Sequence, residues 1–332
     1  MKVVFFQRKR RQHGHFSVEI LFDQIRANLP DDIEHRTRIS RFLSNGILRR
    51  CHSMVEAALR QGEVNHVTGD VHFLAIGLKP RKTILTVLDV GLVNHPNPVV
   101  RQILIWLWIT LPVKRANYIT TISAASKKEL LNYVDLDESK VRVIHVPVSS
   151  AMTYSPRAFN KSRPVILHVG TTENKNLLRL VEAVAGMECR LEIIGRLSEE
   201  QRCKLAEHGI DYRNESGISD EAMCAKYRSA DMLAFVSTYE GFGMPIVEAQ
   251  IVGRPVVTSD LLSMPEVAGD GAHLVDPFDV EDIRKGIRRV IDDDAYRESL
   301  VSRGRSNADR FRVEKLAAEY ADLYREVYRS AQ

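Results

Sequence analysis

Short unbroken apolar runs alternate along this chain with stretches whose apolar residues recur every three or four positions. The short runs read as buried strands and the 3.6-residue recurrence as amphipathic helices. In the first half this places strands at residues 3–6, 64–67, 83–88, 118–122 and 141–146, with a weaker one at 33–39. Helices fall between them at 16–29, where Val18, Leu21, Phe22 and Ile25 share a face, and at 47–61, 99–113 and 125–133. Residues 149–163 have no period and are rich in Ser, Pro, Asn and Lys, which marks a linker. Alternation then resumes, with strands at 165–169, 189–194, 210–213, 232–236 and 255–258. Helices are expected at 177–185, 199–207, 220–228 and 245–252, and three more at 280–292, 295–309 and 313–328 close the chain.

Strand–helix alternation of this kind builds mostly parallel sheets covered by helices on both faces. The expected fold class is α/β, with two doubly wound domains over 1–150 and 164–312, a linker at 151–163 and a final helix within 313–332. Ligands bind such sheets at the carboxyl ends of the strands, so facing domains would enclose a cleft.

Composition changes this picture little. The chain has 332 residues, 44% apolar and 27% charged, with a net charge of +4 that is no argument for nucleic acid. The longest apolar run, 99–112, contains Arg101 and Gln102 and is too short to span a bilayer. The opening apolar run precedes the basic Arg8–Arg11, the reverse of a secretory signal, so a cytoplasmic location is expected. Cys51, Cys189, Cys203 and Cys224 form no CxxC pair and read as buried reduced thiols.

One stretch carries chemistry. Residues 232–236 read as a strand, Pro245 suits the first turn of a helix, and Gly241 and Gly243 lie between. A strand, a glycine turn and a helix N-terminus make an anion site, because open N–H groups and the helix dipole point the same way. Glu240 and Glu248 bracket that turn, and a carboxylate can accept hydrogen bonds from both hydroxyls of a vicinal diol. A phosphate between two diols describes a nucleotide sugar.

The second half contains, in order, Val169-Gly-Thr-Thr-Glu-Asn-Lys-Asn176, Glu240-Gly-Phe-Gly-Met-Pro-Ile-Val-Glu248, Gly253-Arg-Pro-Val-Val-Thr-Ser259, Met264-Pro-Glu-Val-Ala-Gly269 and Val275-Asp-Pro277. Together these resemble the family 4 (group 1) retaining, metal-independent glycosyltransferases of the GT-B fold, with two Rossmann-like domains facing a cleft. The resemblance covers residues 164–328 strongly and is collinear, though weaker, over the first half. It implies that Glu248 binds the ribose of the donor and Glu240 the donor sugar. It places the amides of Gly241, Phe242, Gly243 and Met244 against the sugar and diphosphate. Gly170 and Lys175 follow the first strand of the second domain, with Lys175 on the diphosphate. Relatives commonly carry arginine where this chain has Thr171, so Arg196 would assist Lys175. The base would pack near Ile218, and the last helix would cross back to the first domain.

The implied reaction moves a sugar from a UDP- or GDP-linked donor to a saccharide or lipid-linked acceptor in polysaccharide or glycolipid synthesis. No cofactor is implied, and no Asp-x-Asp sequence sits at an expected strand end. Alternatives of the same fold are a nucleotide-sugar hydrolase or epimerase and a silent sugar-nucleotide-binding subunit.

The first half departs from the resemblance. Leu88-Asp89 stands where many relatives have His-Asp, and the first glycine loop is reduced to His13-Gly14-His15. His66 and His95 are candidates for the missing histidine, with a core or capping role as the ordinary reading of His66. Asp89 is a candidate for sugar or acceptor contact, and His13–His15 for the acceptor side. Arg8–Arg11 with Arg49 and Arg50 allows a basic face for anionic lipid, beside the ordinary reading of a solvated charge run. Ile103, Ile105, Trp106 and Trp108 read either as an interfacial stripe or, favoured by apolar residues on several sides of that helix, as core.

Overall fold

A computed structural model describes residues 1–9, 18–42, 46–88, 97–149 and 151–332. The chain divides into two compact units, Met1–Pro147 with Val313–Gln332, and Val148–Arg312.

The first unit holds a parallel six-stranded sheet built from β1 (Lys2–Gln7), β2 (Glu34–Ile39), β3 (Val64–Val67), β4 (Thr83–Val87), β5 (Tyr118–Thr121) and β6 (Val141–Val143). The strand order is β2-β1-β3-β4-β5-β6. Among the described residues it is accompanied, besides the last helix of the chain, by α1 (Val18–Ala27), α2 (Ile47–Leu59), α3 (Leu74–Gly77), α4 (Pro98–Ile105), α5 (Leu111–Arg115) and α6 (Ala124–Tyr133). The alternation of side chains along β1 sorts the core into two layers. Val3 and Phe5 pack with Phe22, Ile25 and the last helix (Val313–Ser330), through Leu316, Tyr320 and Tyr324. Val4 and Phe6 pack instead with Ala57, Leu74, Ile105 and Ile109 on the other side.

The single helix expected over 99–113 is interrupted. Trp106–Thr110 forms a π-helical turn between α4 and α5. Pro112 has no N–H to give the turn before it, and His72 Nδ1 donates instead to the Trp108 carbonyl at 3.2 Å. The four aromatic and aliphatic residues singled out there divide: Ile105 is core and Trp108 half-buried, whereas Ile103 and Trp106 are exposed, so uniform burial is corrected. Among the described residues no helix is long and apolar enough to cross a membrane.

His66 corrects a second expectation. It is fully buried on β3, with Nδ1 2.8 Å from the Tyr324 hydroxyl and Nε2 2.7 Å from Thr86 Oγ1. The rings of Phe5, Phe22 and Tyr320 enclose it. Burial pushes its pKa down to about 3, so the ring is neutral. With both nitrogens used and no exposed edge, His66 is a core histidine and has no reach to a substrate.

The second unit repeats the architecture with β7 (Val165–Val169), β8 (Arg190–Ile194), β9 (Tyr212–Glu215), β10 (Met232–Phe235), β11 (Val256–Ser259) and β12 (His273–Val275). Its order is β12-β11-β10-β7-β8-β9, again parallel. The chain builds outward from β7 through β8 and β9, then returns and builds the other way from β10. Helices α7 (Leu177–Val184), α8 (Glu199–Glu207), α9 (Asp220–Ser229), α10 (Met244–Val252), α11 (Met264–Ala268), α12 (Val280–Asp292) and α13 (Asp294–Ala308) complete the unit. β12 and α11 were not expected, being only three and five residues long. Of the four cysteines, all free, Cys189 and Cys224 are buried but Cys51 and Cys203 are exposed, against the expectation of four buried thiols.

Removing the Tyr324 hydroxyl tests the buried histidine. Tyr324→Phe leaves His66 Nδ1 without a partner and should lower stability by about 1–3 kcal/mol in urea unfolding; no loss contradicts the hydrogen bond. The unfolded chain protonates this ring below its ordinary pKa of 6.5, while the folded ring stays neutral until about pH 3. Stability should therefore fall as pH drops from 6.5 toward 3, by up to about 1.4 kcal/mol per pH unit from this group. Glu248, with a pKa raised to about 7, works the other way over part of that window, so the comparison is with His66→Gln: an acid dependence identical in the two proteins contradicts the account.

Candidate functional site

The reversal of strand order in the second unit falls between β7 and β10. At such a point the loops leaving two neighbouring strands diverge and open a crevice at their carboxyl ends. The β7 loop carries Gly170, Thr171 and Lys175, and the β10 loop carries Glu240 to Gly243.

Side-chain amides tie these two loops together. Asn176, at the start of α7, adopts the left-handed backbone (φ 61°) and is buried. Its Nδ2 donates to the carbonyls of Val236 at 2.9 Å and Pro277 at 2.7 Å. Asn174 Nδ2 donates to the Tyr239 carbonyl at 2.9 Å, and the Thr238 N–H returns to the Asn174 carbonyl at 2.8 Å. From below, Ser263 Oγ shares its proton between the carbonyls of Glu240 and Phe242, each 2.9 Å away. Phe242 is buried edge-on against Phe311.

On this frame Lys175 Nζ donates to Glu240 Oε1 at 2.5 Å and lies 5.0 Å from the centre of the Phe235 ring. Its stem runs over Gly170, where φ is +94° and a Cβ would sit 2.8 Å from Lys175 Cγ and Cε. Only glycine fits there. Both members of the pair are mostly shielded, so each depends on the other or on an incoming ion. Gly243, in the left-handed region (φ 107°), begins α10 and supplies no side-chain cap. Met244 and Pro245 occupy the first turn, so the positive end of the helix carries no side-chain cap of its own.

Glu248, one turn further along α10, is 2% exposed. Its Oε2 accepts from the Tyr227 hydroxyl at 2.5 Å, while Oε1 is buried without a partner. Burial raises its pKa to about 7, against the lowering effect of the Tyr227 bond. Arg254 fixes the end of α9 that carries Tyr227, donating to the carbonyls of Tyr227 at 3.1 Å and Arg228 at 2.8 Å. Ser237 Oγ and His168 Nε2 are two further buried polar atoms of this unit without a partner. Burial holds His168 neutral, with its pKa down to about 4.

The remaining expected residues are placed as follows. Thr171 Oγ1 donates to the Arg196 carbonyl at 2.8 Å, tying the β7 loop to the β8 loop, and the Arg196 side chain is exposed. Ile218 is half-buried in the turn after β9, just before Ser219 caps α9. His13, Gly14, His15, Asp89 and His95 lie outside the described residues. Tyr227, Asn174, Ser263 and Arg254 were not anticipated. Ser263 had a local signal, a serine directly before Met264-Pro265, while Tyr227 and Arg254 meet Glu248 only through the fold. Among the described residues no three His, Cys, Asp or Glu side chains gather as metal ligands.

Residues 155–307 match the family model of glycosyl transferases group 1. The O-antigen chain mannosyltransferase B of Escherichia coli is 30% identical over 63% of this chain and 61% of its own. The MMP alpha-(1->4)-mannosyltransferase of Mycolicibacterium hassiacum is 29% identical over 61% of this chain and 53% of its own. The chain thus matches between about half and three-fifths of the length of these relatives. The Anabaena protein HepE, solved in complex with UDP, superposes with a TM-score of 0.77 at 15% identity, over 98% of this chain and all of that one. Residues 155–307, which hold the paired loops at the β7–β10 reversal, thus resemble the glycosyl transferases group 1, and the two six-stranded units have the GT-B type of fold.

Proposed function

We propose that the chain is a retaining, metal-independent glycosyltransferase that moves a sugar from a nucleoside-diphosphate donor to a saccharide or lipid-linked acceptor. The observation that carries this reading is the convergence of Lys175, Glu240 and the uncapped start of α10 at the β7–β10 reversal. Breaking the anomeric bond builds an oxocarbenium-like centre on the sugar and negative charge on the departing diphosphate. Lys175 and the amides of Gly241–Met244 meet that charge. A charge-assisted hydrogen bond contributes about 1.5–3 kcal/mol and a helix N-terminus about 0.3–2. Glu240 holds Lys175 in place; with donor bound, Lys175 turns to the phosphates and Glu240 takes hydroxyls of the sugar. The acceptor hydroxyl attacks from the leaving-group side and passes its proton to the departing phosphate, which accounts for retention without a protein nucleophile.

Glu248 receives the ribose diol. Its unpartnered Oε1 is an acceptor awaiting a donor, which supports that role. UDP in the Anabaena structure and the mannosyl group in the names of the two relatives support a nucleotide-linked hexose as the donor class. The O-antigen chain in the name of the first relative supports polysaccharide assembly as the setting. Release of nucleoside diphosphate from a UDP- or GDP-hexose only when acceptor is added is the expected behaviour; release without acceptor would instead indicate a hydrolase, and binding without any turnover a silent subunit.

Lys175→Ala should weaken donor binding by about tenfold or more in calorimetric titration, and a change below twofold removes Lys175 from the diphosphate site. The Glu248 carboxylate predicts a pH effect. Its ionised form is the better diol acceptor, so nucleotide affinity should fall as pH drops below about 7. The decline approaches tenfold per pH unit once the group is protonated. Phosphate ionisation also titrates near pH 6, but equally in Glu248→Gln, so the difference between the two proteins isolates the carboxylate. Identical pH profiles contradict the role of Glu248.

A further inference from the structure

We propose that Arg254 is a positioning residue for nucleotide binding, joining the segment 152–160 to the Glu248 carboxylate; the proposal rests on Glu248 receiving the ribose. Arg254 follows Gly253, the left-handed residue (φ 84°) that ends α10. Its side chain is 3% exposed and makes no ion pair; its donors go to backbone carbonyls instead. Nε donates to the Tyr227 carbonyl at 3.1 Å, and Nη2 to the carbonyls of Arg228 and Ser155, each at 2.8 Å. Nη1 donates to the Gly253 carbonyl at 3.3 Å. Tyr227 and Arg228 lie in the last turn of α9, where carbonyls lack helical partners and a cation is favoured. Ser155 belongs to another stretch of chain altogether. Burial pushes the Arg254 pKa below the ordinary arginine value, so these carbonyls offset a real desolvation penalty.

Residues 152–160 have no regular structure, yet they are fastened to the second unit along their length. Met152 Sδ lies 3.5 Å from Cys224 Sγ on α9. The Ser155 N–H donates to the Val252 carbonyl at the end of α10, at 3.2 Å. Tyr154 occupies the space beside Gly253, where a Cβ would come within 2.6 Å of its ring, and the Arg305 guanidinium lies 3.6 Å from the ring centre. Further along, the buried carboxylate of Asp231 accepts from the N–H of Asn160 at 3.1 Å and of Val165, the first residue of β7, at 2.8 Å. Arg157 Nε, 3.3 Å away, pairs with the same carboxylate. The segment is thus a strap across the ends of α9 and α10. Arg254 is the side chain on which the strap and the end of α9 meet.

Tyr227 carries the effect to the site. Arg254 holds its carbonyl, and its hydroxyl holds Glu248 Oε2 at 2.5 Å. A helical side chain follows its own backbone, so a shift at the end of α9 moves the hydroxyl. Burial raises the Tyr227 pKa well above its ordinary value, which keeps it a hydrogen-bond donor. Losing that donor has two consequences for Glu248. Oε2 joins Oε1 as a buried acceptor without a partner, and the carboxyl loses the group that lowers its pKa against burial. The other titratable groups facing Glu248 also come from α9: Asp220, which raises its pKa, and Cys224, whose own pKa burial raises, leaving a neutral thiol. Neither replaces Tyr227 as a donor that favours the ionised carboxylate.

Arg254→Lys keeps the charge but cannot hold carbonyls of three segments from one planar group. In calorimetric titration with UDP or GDP, whichever the parent binds more tightly, it should weaken binding by about fivefold or more. The pH below which affinity falls should move upward by about half a unit or more. Tyr227→Phe should do the same, and the two changes together no more than either alone. The pH shift should vanish in Glu248→Gln, which has no carboxyl to titrate. In the unsubstituted chain the same nucleotide should slow amide hydrogen exchange over residues 152–160, as reciprocal coupling requires. That measurement holds the proposal to account even where Arg254→Lys fails to fold. An unchanged affinity and pH profile in Arg254→Lys overturns the proposal, as do additive losses in the double variant or exchange that nucleotide leaves unaltered. Identical pH profiles in the parent and Glu248→Gln would instead overturn the ribose role of Glu248; distinct profiles that Arg254→Lys does not move overturn only the role of Arg254.

Discussion

The Lys175–Glu240 ion pair depends on a topological fact and gives it chemical meaning. Two strands far apart in sequence, β7 and β10, become neighbours because the second sheet grows outward in both directions from them. Their loops then face each other, and one contributes a cation while the other contributes a carboxylate, 2.5 Å apart. An ion pair this shielded is costly to assemble unless its surroundings are fixed in advance. Asn174, Asn176 and Ser263 supply that fixing through side-chain bonds to backbone carbonyls. Gly170 supplies the room for the lysine stem.

One turn into α10, the same logic produces a different kind of readiness. Glu248 is held by one hydrogen bond and left with one buried oxygen unpaired. A buried unpaired carboxylate oxygen is unfavourable, and burial raises the pKa of this group to about 7. Such strain at a site is relieved when a ligand brings hydroxyl donors. His66 in the other unit is the contrasting case: an equally buried titratable group with every hydrogen bond satisfied, and therefore structural.

Most of the fold was legible because strand and helix periods differ and both units alternate them. The motifs of the candidate site were legible because glycine, proline and paired carboxylates leave marks at fixed spacing, from Gly170 to Lys175 and from Glu240 to Glu248. What could not be read has physical causes. β12 is too short to show a period, and the turn at Trp106–Thr110 is decided by Pro112 and by His72 from another element. Tyr227 and Arg254 act on Glu248 only after folding brings them there. His66 stood at the end of an expected strand as a candidate for the missing histidine, with a core or capping role as its ordinary reading, and the hydroxyl of Tyr324 closing on it decides for the core.

The most direct test is a crystal structure of the full chain with a bound nucleoside diphosphate. The account predicts phosphate oxygens within ~3 Å of Lys175 Nζ and of a backbone N–H in Gly241–Met244, with a ribose hydroxyl on Glu248 Oε1. A diphosphate bound elsewhere, with Lys175 still on Glu240 and Glu248 Oε1 still unpartnered, would contradict it.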